Sequence, residues 1–132
     1  MRKSINPPSL PPPAGYSQVV RVSGGTTIYI AGQVAWDEDG QLVGATDFEA
    51  QTRQVFHNLA VALAVFDAAL SDLIKIGIYV VDHDNSKLQT IRLVRDKFFG
   101  DITPPASTLL GVAGLAVPDL MIEVDAIAFV ED

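Results

Sequence analysis

The sequence predicts an α+β fold, a mixed β-sheet with two helices packed on one of its faces. Three observations carry that expectation. Two stretches repeat apolar residues at three- and four-residue steps, as amphipathic helices do. Two others, residues 73–82 and 122–129, alternate from residue to residue, as strands do. The segments run strand, strand, helix, strand, helix, strand, strand, which lays both helices against one sheet as a two-layer sandwich.

The chain starts MRKSINPPSLPPPAGY, where Pro7, Pro8, Pro11, Pro12 and Pro13 forbid a helix and predict an extended, fixed arm. SQVVRVSGGTTIYIAGQVAW follows as two strands joined by a hairpin turn at Gly24-Gly25. DEDG, residues 37–40, reads as a turn and QLVG as a short edge strand. Thr46 with Glu49 forms a capping-box pattern. Phe48, Thr52, Val55, Leu59, Ala62, Phe66 and Leu70 then form the apolar stripe of a long helix.

DLIKIGIYVVD is the clearest strand, with Ile74, Ile76, Ile78 and Val80 on one face and Lys75, Gly77, Tyr79 and Val81 on the other. Ser86 with Gln89 repeats the capping pattern ahead of a second helix that turns Leu88, Ile91, Val94 and Phe98 inward. Pro104-Pro105 stops it. PPASTLLGV and LMIEVDAIAF supply the last two strands. In the second of these Ile122, Val124, Ala126 and Ala128 make a wholly apolar face, while Glu123 and Asp125 share the other with Ile127 and Phe129.

With 132 residues, 48% of them hydrophobic and 19% charged, the chain reads as one globular domain, 1–132, able to bury a core without disulfides or metal. No apolar run reaches the ~20 residues of a membrane span, and the basic start has no apolar stretch behind it, so no membrane association is expected. The absence of cysteine excludes a thiol nucleophile and a thiolate metal site, and is compatible with the expected cytoplasmic location. A net charge of −7, with nine scattered Lys and Arg, argues against nucleic acid as a partner. His83 with its neighbours Asp82 and Asp84 does not make a metal-ligand cluster, so no metal is expected. The GGTT run sits in the hairpin rather than at a strand–helix junction, so no cofactor is implied.

Two helices cover only one face of a sheet. The other face would leave Val20, Val22, Tyr29, Tyr79, Val81, Leu109, Ile127 and Phe129 wet, too much apolar surface for a monomer. A homo-oligomer is therefore expected. Ser107, Glu123 and Lys75, which interrupt these faces, are expected near subunit boundaries, where ligand sites commonly form.

INPPSLPPPAGYSQVVRV, IAGQVAWDEDGQLVG, DFEAQTRQVFHNLAVAL, LIKIGIYVVD and PASTLLGVAGLAVPDLMIEVDAIA, in that order and spacing, resemble the RidA (reactive intermediate deaminase A, or YjgF) family over nearly the whole chain. The resemblance implies a chorismate-mutase-like sandwich and a homotrimer whose sheets form a central barrel, with ligand clefts between neighbouring subunits. In deaminating members an arginine in a P-A-R-S/T motif grips the substrate carboxylate, a glutamate handles water, and a tyrosine and a turn glycine complete the cleft. Water adds to an imine, and ammonia and a keto acid leave. Carried over by position, the glutamate is Glu123, the tyrosine Tyr16 and the glycine Gly32.

The arginine is absent: Ser107 stands in its place. An arginine offers a charged, bidentate clamp for a carboxylate, whereas a serine hydroxyl offers one neutral hydrogen bond worth about 1 kcal/mol net. The usual small α-imino acids are therefore not the expected substrates. Tyr16 follows a glycine in a rigid arm and serves either as a packing anchor or as a cleft wall. Arg92, in the second helix, is either a solvated surface residue or a cation that reaches the cleft from another direction. Trp36 caps the cleft or packs on a helix, and the sequence does not choose. The expected function is the hydrolysis, or another transformation, of a small imine, enamine or carbonyl metabolite in an inter-subunit cleft with Glu123 as the working carboxylate. The alternatives are a non-catalytic metabolite-binding trimer and, below it, an endoribonuclease, which the acidic charge opposes.

Overall fold

A computed structural model describes residues 1–132. In chain order the elements are β1 (Arg2–Ile5), β2 (Val19–Val22), β3 (Thr26–Gln33), α1 (Phe48–Ala64), a 3-10 turn (Leu70–Asp72), β4 (Leu73–Val81), α2 (Asn85–Phe99), β5 (Ala106–Val112) and β6 (Ile122–Val130). Four strands form a mixed sheet in the order β3-β6-β4-β5, in which β4 and β5 run parallel and the other neighbours antiparallel. β1 and β2 form a separate antiparallel ribbon.

Both helices lie on one face of the four-stranded sheet, as the segment order predicts. Their shared core joins Val55, Phe56, Leu59 and Leu63 of α1 and Ile91 and Val94 of α2 to Ile76, Ile78 and Val80 of β4 and Ile122, Val124, Ala126 and Ala128 of β6. Burying side chains of this size contributes roughly 1.5–3 kcal/mol each, which is what holds the layers together. Phe56 stacks on Phe98 and meets Phe99 edge-on, tying α1 to the end of α2.

Both capping assignments move. Asp47, not Thr46, caps α1 by accepting from the Ala50 amide at 3.0 Å. Glu49 then sits too early to fold back on the cap, and it pairs with Arg53 at 2.9 Å instead. Asp84 caps α2 through the Lys87 amide, and Ser86 donates its hydroxyl to the Asp84 carboxylate. In each case a neighbouring aspartate, at least as good a cap as serine or threonine, takes the position. α1 also ends sooner than its stripe suggests: Phe66 lies beyond the helix and is exposed.

Three strand expectations are corrected. Gly24 and Gly25 do turn the chain, at φ of 69° and 72°, but β2 pairs with β1 and β3 with β6, so no hairpin forms between them. QLVG is no strand and makes a single bridge, Leu42 to Trp36. In β4 the register shifts between Leu73 and Lys75, so Leu73 rather than Ile74 enters the core. The proline arm does run without regular structure between β1 and β2. It rejoins the body at Ser17, whose amide and hydroxyl donate to the Pro105 and Pro104 carbonyls and which bridges in parallel to Ala106.

The open face of the sheet is smaller than expected. Tyr29, Tyr79 and Ile127 lie on it, but Leu109, in register with core residue Ile78, turns to the helix side. Val20 and Val22 belong to the ribbon, and Phe129 is buried beneath the Gly25 turn.

Candidate functional site

The sequence-predicted site residues fall into two groups. Gly32 and Glu123 meet directly. A Cβ placed on Gly32 would fall 2.7 Å from the Glu123 carboxyl carbon, so only a bare Cα leaves that side chain its place. The approach is made by the bulge in β3: between Ile30 and Gln33 the register to β6 slips, and Ala31 and Gly32 have no partner there.

Glu123 stands on the open face in register with Tyr79. The Tyr79 hydroxyl donates to Asp125 at 3.3 Å. Asp125, burial, that hydrogen bond and then Glu123 together push the Tyr79 phenol above its ordinary range. A pocket of about 460 Å³ on this face is lined by Tyr29, Lys75, Tyr79, Thr108, Asp125 and Ile127 among others. Lys75 is committed there, donating to the Thr108 hydroxyl at 2.8 Å.

Tyr16 and Ser107 form the second group. The Ser17–Ala106 bridge places each next to a bridging residue, at the start of β5. Ser107 does not interrupt the open face as expected: in parallel register with Ile76, it points to the helix side. Gly15, at φ 78°, lies against α2, and a Cβ there would fall 2.6 Å from the Cζ of Arg95. Arg92 is half-buried one turn earlier. Arg95 escapes a reading of the sequence because its neighbour is in a loop 80 positions back. The one available signal is the Arg92/Arg95 spacing, which puts both guanidinium groups on one side of a helix.

The two groups do not meet within one chain. Glu123 is level with Leu110 through Tyr79, so Ser107 lies three residues further along β5, two strands away and on the opposite face. That is about 10 Å in each of two directions before the thickness of the sheet is counted. Gly32 lies in edge strand β3 and Ser107 in edge strand β5, at opposite margins of the sheet. A cleft that uses both must be assembled from two copies.

Trp36, half its surface free, walls a groove of about 680 Å³ with Gly32, His57, Asn58, Val61 and Val65. Asn58 pins that wall by donating to the Val34 and Trp36 carbonyls. No three His, Asp or Glu side chains converge as metal ligands, and no helix is long and apolar enough to cross a membrane.

Comparisons with known proteins identify the family of the chain. The family model described as endoribonuclease L-PSP matches residues 8–130. A RutC family protein of Pyrococcus abyssi is 36% identical over 124 residues, 92% of this chain and 91% of the relative. A 2-iminobutanoate/2-iminopropanoate deaminase of Dermatophagoides farinae is 28% identical over 131 residues, 98% of each chain. Among solved structures, YyfB of Yersinia pestis, a protein of the conserved Rid family, superposes with a TM-score of 0.92 at 40% identity, covering 98% of both chains. A bulged strand that lays a glycine under a carboxylate, in a helix-backed mixed sheet, thus sits in a chain that belongs to the endoribonuclease L-PSP family, the RidA/YjgF family.

Proposed function

We propose that this chain assembles as a homotrimer and hydrolyses a small imine or enamine in clefts between its subunits, releasing ammonia. The observation that carries the reading is the seating of the Glu123 carboxylate over Gly32 at the margin of the sheet. Glu123 takes a proton from water and passes it to the imine nitrogen as the water oxygen adds to the C=N carbon; it then takes the new hydroxyl proton and gives it to the amine as the C–N bond breaks, so imine and water become carbonyl and ammonia. Tyr16 and Ser107 of a neighbouring copy complete the cleft. The separation of the two residue groups within one chain supports an assembly, and the open sheet face around Tyr29, which is 78% exposed, supplies a surface for it.

Ser107 sets the substrate range. Without the arginine, the small α-imino acids processed by arginine-bearing relatives lose the clamp that presents them to Glu123. RNA cleavage is disfavoured by the charge of −7. Ammonia release should be followed from freshly generated imines of small ketones and aldehydes, with wild type and Glu123→Gln compared. The expected result is turnover in wild type, lost in the variant, with the same oligomer mass in both. Turnover equal in the two overturns the role of Glu123. Tight retention of a metabolite with no product from any imine replaces the enzyme by a binding protein.

A further inference from the structure

Arg95 is a largely enclosed cation that the fold leaves without an acceptor. Its side chain is only 11% exposed, and its one acidic neighbour within range is Asp96, the next residue on the helix, 3.8 Å away and itself 74% exposed. Arg2 makes the contrast: also partly buried, it spends its guanidinium on the Ser71 and Thr103 carbonyls. No side chain or carbonyl of the chain accepts a hydrogen bond from Arg95 in this way. Burial, eased by Asp96 and reinforced by Arg92, holds Arg95 below the usual arginine range, and it stays cationic at neutral pH. A largely enclosed guanidinium that meets no acceptor of its own chain leaves its donors to solvent or to an anion.

Its location gives the site a use. The guanidinium lies on Gly15, which both its positive φ and the missing Cβ reserve for glycine. Gly15 leads directly into Tyr16 and into Ser17, which is fastened to Pro104, Pro105 and Ala106 beside Ser107. Arg92, whose charge Arg95 feels, stands on the same side of α2. Arg95 of α2 therefore stands against the arm that carries Tyr16, with Arg92 one turn behind it on the helix.

We propose that Arg95, with Arg92 behind it, binds a carboxylate of the ligand. A single planar fork matches one carboxylate in two parallel hydrogen bonds, and the acidic chain disfavours a dianion such as phosphate. The inference rests on the cleft reading above and deepens it: the substrate is a small acid whose carboxylate is held from the helix side of β5 rather than from its Ser107 position. The carboxylate then stands at a different distance from the reacting carbon than in an α-imino acid.

The test is binding rather than turnover. Calorimetric titrations would use 2-oxobutanoate, 4-oxopentanoate, inorganic phosphate and neutral 2-butanone against wild type, Arg95→Met and Arg95→Lys. A carboxylate should bind wild type, weaken roughly ten-fold or more in Arg95→Met, and be partly restored in Arg95→Lys. 2-Butanone binding should be indifferent to position 95. Carboxylate binding that survives Arg95→Met, or preference for phosphate over every carboxylate, overturns the proposal. Should Arg95→Met fold poorly, Gly15→Ala displaces the guanidinium and must weaken carboxylates in the same way. Imine turnover without carboxylate binding sinks this inference and spares the hydrolase. Carboxylate binding through Arg95 without turnover of any imine does the reverse.

Discussion

The carboxylate of Glu123 lies over the bare Cα of Gly32, so that one residue's missing side chain is the other's seat. Gly32 needs no left-handed backbone, and the group it would crowd is the flexible end of a side chain. Gly32→Ala should therefore leave the fold nearly untouched, with a Tm shift under about 3 °C, while pushing Glu123 aside and abolishing most turnover. Scanning calorimetry and ammonia release on the same preparation check both halves. Retained activity would detach Gly32 from the site.

Ser107→Arg restores a cation at the margin of β5. The variant should release ammonia from small α-imino acids that wild type leaves untouched. Equal activity of the two proteins would mean that position 107 does not set the substrate range.

Tyr79 offers a pH handle on the same face. Its folded-state pKa is raised above the ordinary 10.0, first by the Asp125 charge. The folded protein thus holds this proton more tightly than the unfolded chain does. That stabilisation is complete below pH 10 and drains away as pH climbs through the raised folded value. In an ultraviolet titration the Tyr79 phenol should ionise above the ordinary range, and in Asp125→Asn it should move down toward it. An unchanged curve would refute the coupling.

Gln51 is the polar rivet of the interior. Fully buried, it donates to the Gly44 and Asp119 carbonyls and accepts from the Met121 amide, pinning the entry to β6 onto α1. Gln51→Leu keeps the volume but orphans the Asp119 carbonyl and the Met121 amide, while the Gly44 carbonyl keeps the Asp47 amide, and should cost about 2 kcal/mol or more. Urea denaturation measures it. A loss below about 1 kcal/mol would show that water replaces the amide.

What could be read from the sequence follows how local each determinant is. β4 and β6 announce themselves because both carry unbroken apolar alternation, and α1 and α2 because their stripes are long. The caps slip by one or two residues because Thr46 stands beside Asp47 and Ser86 near Asp84, and a sequence pattern cannot rank adjacent acceptors. Pairing is where legibility ends. Gly24-Gly25 marks a real turn, but the partners of β2 and β3 are residues 2–5 and 124–130, chosen by packing far from the turn. The site divides in the same way: Glu123 and Gly32 stand out by motif, whereas Arg95 gains meaning only once Gly15 is folded onto it.

The Ser17 fastening has a kinetic side. Its partners Pro104 and Pro105 lie 87 and 88 residues further on, beyond both helices and β4. The loop it closes is among the longest in the chain, and such contacts form late, after the crossover through α2 has set β5 in place. The proline arm, with few buried residues of its own, is then the last part to dock and the first to let go. Tyr16 would thus reach its final place only in a finished subunit, and a molecule resting on the arm would act as the lock on that final step.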